Sequence, residues 1–416
     1  MYTITMKTTY TISNNDETFS HLLTNLFSET PVKTKKTDPY LLKSIDVEQS
    51  KFKLVAYNAN MVTKENLNTL GLMRSLLFTS DNRLVCFSPP KTMKSDDFKE
   101  KYRDVKELYT EDCVEGTMIN MFWDDQSGKW EFMTRKNVGA TNSYYVYDKS
   151  SKQPSFRSMF LESLEQSNAK LDNFDKSYSY SFVMQHPSNR IVMHVDYPVL
   201  YLIEAYKITS DVGIDNPLST NYEITVLDKE EMSSLVQGNI RVPKKYPFSD
   251  YSQHETQISA ENNKPWELNM IKKGFVVRDL KTNVRTKFIT ENYKTIQDLK
   301  SNIPDMRFLY LKLRKDDTLD KYLQYFPEHD KLFSHYFHLL SDYTHCLYSF
   351  YKDCYISKVK PLKEYTNNYR THMYAIHGVY INTHKPQNKK ITIQDVEKYI
   401  NEMDVPLLFD TLFKVM

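Results

Sequence analysis

Glycine is scarce in this sequence, 8 residues among 416, where about 7% is usual. No G-x-x-x-x-G-K-[ST] run occurs, so a P-loop module is not indicated. The four cysteines, Cys86, Cys113, Cys346 and Cys354, form no C-x-x-C pair. That leaves neither a disulfide scaffold nor a zinc ribbon, and suits a reducing cytoplasm. No apolar run approaches the roughly 18 to 20 residues needed to cross a bilayer. The opening stretch MYTITMKTTYTISNNDETFSHLL lacks the apolar core and small-residue cleavage site of a secretory signal. Net charge is only +2, which argues against capture of nucleic acid by bulk electrostatics and leaves a local basic groove open. No serine or cysteine triad can be assembled from the pattern.

What is present is an ordinary soluble composition, 40% hydrophobic and 26% charged, in a chain long enough for two or three cores. Residues 1–50 read as a lead-in segment: a strand, a short amphipathic helix over Thr18 to Phe27, and an exposed polar loop, VKTKKTDPY. Residues 51–312 are dominated by short alternating runs, among them KFKLVAYNANMV, RLVCFS, TMINMFW, KWEFMT, YSYSFVM, RIVMHV, VLYLIEAY, KGFVVRDL and RTKFIT. These predict strands. Helices are predicted at Ser155 to Leu171 and Ile296 to Ile303, so the class is α+β with antiparallel sheets and flanking helices. From 313 to 416 apolar and aromatic residues recur at helical spacing, which predicts an α-helical C-terminal domain.

Four segments follow one another in a telling order. Leu72 to Lys94 is a hairpin led by Arg74 and closed by Pro90-Lys91. Asp112 to Asn137 carries Cys113, Glu115, Gly116 and Thr117, then two hydrophobic strands and Thr134-Arg135. Ser179 to Ile208 contains the run Pro187, Ser188, Asn189, Arg190, Ile191, Val192. Lys272 to Tyr293 carries Lys273, Gly274, Arg285, Lys287 and Tyr293. Two of the scarce glycines fall at turning points of this pattern.

In order and spacing these segments resemble the nucleotidyltransferase motifs of the phage-type RNA ligases, over roughly residues 50 to 310. The resemblance implies that family's fold, an ATP-grasp-like domain of antiparallel sheets, followed by a helical domain. It also implies covalent chemistry: a lysine amine attacks the α-phosphate of ATP with a hard cation in attendance, and the adenylate passes to a nucleic-acid 5′-phosphate. Arg74, Glu115, Gly116, Arg135, Arg285 and Lys287 then stand as the nucleotide- or phosphate-binding candidates.

Three positions depart from the family pattern. Cys113 stands where the nucleophilic lysine belongs. Val183 replaces the glutamate associated with the ribose, and Lys273 reverses the charge of a glutamate associated with metal and nucleotide. Lys106 is the nearest upstream lysine but lacks a following x-D-G. The expectation is a pseudoenzyme with no cofactor and no metal, kept for binding RNA or DNA or as a subunit among viral proteins. The alternatives are an active ATP- and Mg-dependent RNA ligase with an atypical site, or a structural virion protein. Tyrosine at 31 residues, with abundant lysine and asparagine, is the bias of an AT-rich genome and fits a large DNA virus. Host cytoplasm, viral factory or virion would be its place, with no membrane partner.

In the helical region His335, His338 and His345 share one predicted helix, and His372 and His377 another. Spacing of i, i+3 could seat a metal, yet no carboxylate or cysteine completes a ligand set. Partly buried structural histidines are expected, with Cys346 and Cys354 facing the core. The tyrosines there, including Tyr336, Tyr343, Tyr351 and Tyr374, could stack on bases if exposed or pack helices together if not.

Overall fold

The computed structural model describes residues 8–28, 34–106, 108–147, 153–211, 220–248, 250–264 and 271–414. The start of the expected N-terminal strand and the first residues of VKTKKTDPY lie outside these. The chain forms two compact units, Met1–Tyr144 with Gln153–Thr295, and Tyr145–Lys152 with Ile296–Met416. The expected boundary at 312/313 falls within a helix, Met306–Lys315.

Three antiparallel sheets make up the first unit. One has six strands in the order β1 (Thr9–Ile12), β11 (Asn221–Val226), β10 (Val199–Asp211), β9 (Tyr178–Gln185), β7 (Thr117–Asp124), β8 (Lys129–Met133). The second runs β12 (Lys245–Tyr246), β6 (Leu108–Asp112), β13 (Gly274–Asp279), β14 (Arg285–Ile289). The third is a meander of β2 (Tyr40–Val47), β3 (Ser50–Tyr57), β4 (Leu76–Thr79) and β5 (Leu84–Phe87). The α+β class with antiparallel sheets is thus the one expected from alternation.

The lead-in segment is part of the core. Helix α1 (Glu17–Leu26) starts at Asp16, whose carboxylate accepts from the amides of Thr18 at 2.8 Å and Phe19 at 3.3 Å. Its apolar spacing buries Phe19, Leu22, Leu23 and Leu26 with Ile12, Tyr40, Val55 and Tyr222. A Leu22→Ala change would cost about 2 to 5 kcal/mol.

Two strand expectations differ from the structure. RIVMHV forms no strand, because the amides of Val192 and Met193 donate to the Glu115 carboxylate rather than to a ladder. Conversely β6 reads LYTED, too polar to suggest a buried strand. Its Thr110 is nonetheless buried against His254, and its Glu111 is buried on Lys229 at 2.9 Å.

The second unit is helical, as expected. Its longest helix, Asp330–Tyr351, buries Phe333, Tyr336, Leu340, Tyr343, Leu347 and Tyr351 along one stripe. His335, His338, His345 and Cys346 fall off that stripe and are exposed, which corrects the expectation of partly buried histidines and a core-facing Cys346. His372 is buried, with its ring nitrogens 2.9 Å from the Tyr399 hydroxyl and 3.1 Å from the Thr411 hydroxyl. Among the described residues no group of three His, Cys, Asp or Glu is placed to hold a metal ion, and no helix is long and apolar enough to cross a membrane.

Candidate functional site

The site begins where β6 stops pairing. The Cys113 amide donates to the Gly274 carbonyl at 2.9 Å, so the thiol position is locked beside the first residue of β13. Gly274 has φ +140°, and a Cβ there would overlap the Phe288 carbonyl oxygen. Only glycine fits this approach. In the register, Gly274 pairs with Ile289 and Val276 with Lys287, while Val276 pairs with Glu111 on the other side. Cys113, Gly274, Val276, Arg285 and Lys287 therefore share one face of the sheet. Glycine at 274 lets β13 and β14 approach closely at this end of the pair, next to Cys113.

A second wall comes from the six-stranded sheet. Gly116, φ +141°, lies so close to β9 that a Cβ would overlap the Met184 carbonyl and stand 2.7 Å from the Val183 side chain. Val183 is buried here. Glu115 is buried too, and one carboxylate oxygen accepts from the amides of Val192 at 3.2 Å and Met193 at 2.9 Å. Asn189 donates to the Thr117 hydroxyl at 2.8 Å, and Gln185 to the Glu115 carbonyl at 3.0 Å. The Pro187 to Val192 run is thus a turn that closes over Glu115. Burial raises the Glu115 carboxyl, opposed by the Val192 amide, the Tyr293 hydroxyl, Lys273 and the Met193 amide. Lys273 also stands 5.6 Å over the Tyr293 ring.

Cations crowd the space between these walls. Burial pulls the Lys287 amine down to about 8; Cys113 opposes the shift, and Arg74, Lys273 and Arg285 add to it. Arg74 is likewise lowered, first by burial and then by Arg285, with Arg135 contributing. Its guanidinium donates to the Pro89 carbonyl at 3.3 Å. Arg135 stacks 4.5 Å over Tyr57, and its Nε is buried without a hydrogen-bond partner among the described residues. Lys91, exposed at the rim, is lowered by burial and then by Arg74 and Arg135. Among the described residues none of Arg74, Arg135 and Lys287 has an ion-pair partner.

Arg285 differs from the other candidates. It donates at 2.9 Å to Glu204 and at 2.6 Å to the Pro90 carbonyl, and Arg278 donates to the same Glu204 oxygen. The Tyr206 hydroxyl donates to the other oxygen. Burial alone would raise the Glu204 carboxyl, but Arg278, Arg285 and Lys229 hold it at about 2. A phosphate contact from Arg285 would require breaking this buried cluster. Glu204 escaped the sequence reading, although it is the lone acid in the apolar strand VLYLIEAY, which is the signal that could have found it.

Lys106 sits in an exposed bend before β6, on the order of 20 Å along the strand from Cys113. The residues around Cys113 do not fit a divalent cation: the Lys287 and Lys273 amines lie close enough to act on each other, Asp112 and Glu111 are paired with Lys272 and Lys229, and one Glu115 oxygen is held by backbone amides. They do fit an anion. Three half-buried basic side chains without ion-pair partners among the described residues, Arg74, Arg135 and Lys287, with Lys91 at the rim, favour phosphate oxygens.

No family model and no curated protein matches the chain. Among solved structures it is similar to a presumptive ATP-dependent DNA ligase from Aquifex aeolicus, at 11% identity and TM-score 0.39, over 90% of this chain and 75% of that one. An archaeal ATP-dependent RNA ligase follows at 12% identity and TM-score 0.39, over 73% and 77%. Another form of it gives 13% and 0.38, over 63% of this chain and 60% of that one.

Proposed function

We propose that this chain is an RNA-ligase-like protein without adenylyltransferase chemistry, whose cleft beside Cys113 binds the phosphate backbone of nucleic acid. The observation that carries this reading is the uncompensated cation cluster of Arg74, Arg135 and Lys287. Half-buried cations without a counter-charge are unfavourable on their own. A ligand phosphate relieves that cost. Cys113 offers no amine for a phosphoramidate, Val183 no acceptor for a ribose hydroxyl, and Lys273 stands near Glu115 as its counter-charge rather than as a metal ligand. A cytoplasmic location suits the free thiols, and nucleic acid, alone or within a viral complex, is the partner class.

The test is filter binding of a 5′-labelled oligonucleotide by the whole chain and by its Arg135→Ala and Lys287→Met variants. Binding is expected to weaken in both variants. Unchanged affinity in both sinks the reading.

One observation favours a second reading: Lys287 shares a sheet face with Cys113, and an amine lowered to about 8 is partly neutral at physiological pH, as a nucleophile requires. Its Nζ would bond to the α-phosphorus of ATP, releasing pyrophosphate and one amine proton. Incubation with α-labelled ATP and a divalent cation decides between them. Acid-labile label on Lys287 would overturn the first reading.

A further inference from the structure

The second unit carries a charge asymmetry that the first reading does not use. Between Lys352 and Lys390 lie seven lysines and one arginine against one aspartate and one glutamate, a local net of +6 in a chain whose total is +2. Among the described residues none of these cations forms an ion pair. Charges needed only to complement helix C-termini would be fewer, since two such termini together present roughly one negative charge.

The same stretch gathers aromatic rings at one place. The helices Asp330–Tyr351 and Asn367–Val379 each run on into a π-helical turn, Lys352–Ile356 and Tyr380–His384. Such turns are rare and recur at functional sites. Tyr355, in the first, stacks on His377 with ring centroids 3.9 Å apart and planes within 11°; His377 in turn lies 5.6 Å from Tyr380, in the second. Tyr374 and His377 are three residues apart on the helix Asn367–Val379 and so neighbour each other on its surface; the Tyr355 phenol is pushed up by burial and then by Cys354 and Tyr374. The His377 imidazole is lowered by burial and then by Lys385. Tyr374 is 70% exposed, and Ile356, Val359 and Ile381 lie open nearby in sequence at 55%, 76% and 43%.

An open ring at Tyr374, with Lys385 near His377 and Lys360 over Tyr365, combines what unpaired bases and a phosphate chain require together: rings stack the bases, lysines neutralise the backbone. An apolar protein partner would gain nothing from the excess positive charge. We infer that the Tyr355–Tyr374–His377 cluster of the second unit is a binding surface for single-stranded nucleic acid, separate from the cleft beside Cys113. It does not depend on the cleft reading.

Fluorescence anisotropy with a labelled single-stranded RNA of about 20 nucleotides tests this on the whole chain. Tyr374→Ala is expected to weaken binding roughly 5-fold or more by loss of one stacked base. Lys358→Glu combined with Lys360→Glu is expected to weaken it at least about 10-fold and flatten the salt dependence. These positions lie on or near the surface, and circular dichroism checks the fold. Wild-type affinity in both variants overturns the inference and leaves the patch to a protein partner. A duplex of equal length bound as well as the single strand overturns the stacking role. Loss in these variants with full binding by Lys287→Met supports this surface while refuting the cleft, and the reverse pattern does the opposite.

Discussion

Arg285 and Lys287 are two residues apart on the same face of β14 and meet opposite fates. Arg285 is buried against Glu204, shares that carboxylate with Arg278, and is part of the core. Lys287 has Cys113 and other cations for neighbours, and its amine is driven down to about 8. The difference lies entirely in what the adjoining sheet presents. β10 brings a carboxylate to Arg285, whereas the turn after β6 brings a thiol to Lys287. One cation is paired in the core; the other has no carboxylate partner among the described residues.

The sharpest way to break the comparison is to remove the carboxylate. Glu204→Gln would leave Arg278 and Arg285 buried without a counter-charge, at a cost of about 3 to 5 kcal/mol in urea unfolding. An effect under about 1 kcal/mol would mean that water already compensates the pair. The same group predicts a pH dependence. Its folded pKa of about 2 lies below the ordinary value of 4.5, so its stabilisation is present at neutral pH and is lost as pH falls from about 4.5 towards 2. Linkage puts that contribution at about 3 kcal/mol. Glu204→Gln should flatten the acid limb of the stability curve.

Next in size is Gly274→Ala, which drives a methyl group into the β14 backbone beside the site. The positive φ and the overlap with the Phe288 carbonyl should cost roughly 2 to 4 kcal/mol, read from the thermal midpoint. Lys287→Met should leave stability unchanged or slightly raised, because it deletes a charge without a partner. In contrast to Glu204→Gln, its effect should appear in ligand binding, as a loss of about one unit in the slope of log affinity against log salt. Binding by wild-type protein should also weaken as pH rises through about 8, where the Lys287 amine loses its proton, and Lys287→Met should abolish that step. The smallest effect belongs to Cys113→Ser, with oligonucleotide affinity expected within about 2-fold of wild type; a larger loss would give the thiol a role in binding.

Much of this arrangement was legible beforehand. The glycines at 116 and 274 mark close approaches, and alternation marked most strands of the first unit. The stripe from Phe333 to Tyr351 marked the long helix. What escaped did so for physical reasons. β6 carries Thr110 and Glu111, which are buried only because His254 and Lys229 satisfy them. RIVMHV has strand composition, yet Glu115 takes its amides. The histidines of the long helix looked interior because aromatics surround them in sequence, whereas the helical period turns them outward.

By itself the sequence determined the class of fold, the order of the four segments and the cysteine at position 113, since each rests on local pattern or residue identity. Only the tertiary structure decided which cations are free. Charge is carried by the side chain, but its availability depends on which carboxylates other strands bring within reach, and that is a property of packing between sheets. Glu204 and Arg285 are 81 residues apart in the chain, beyond what any local pattern records.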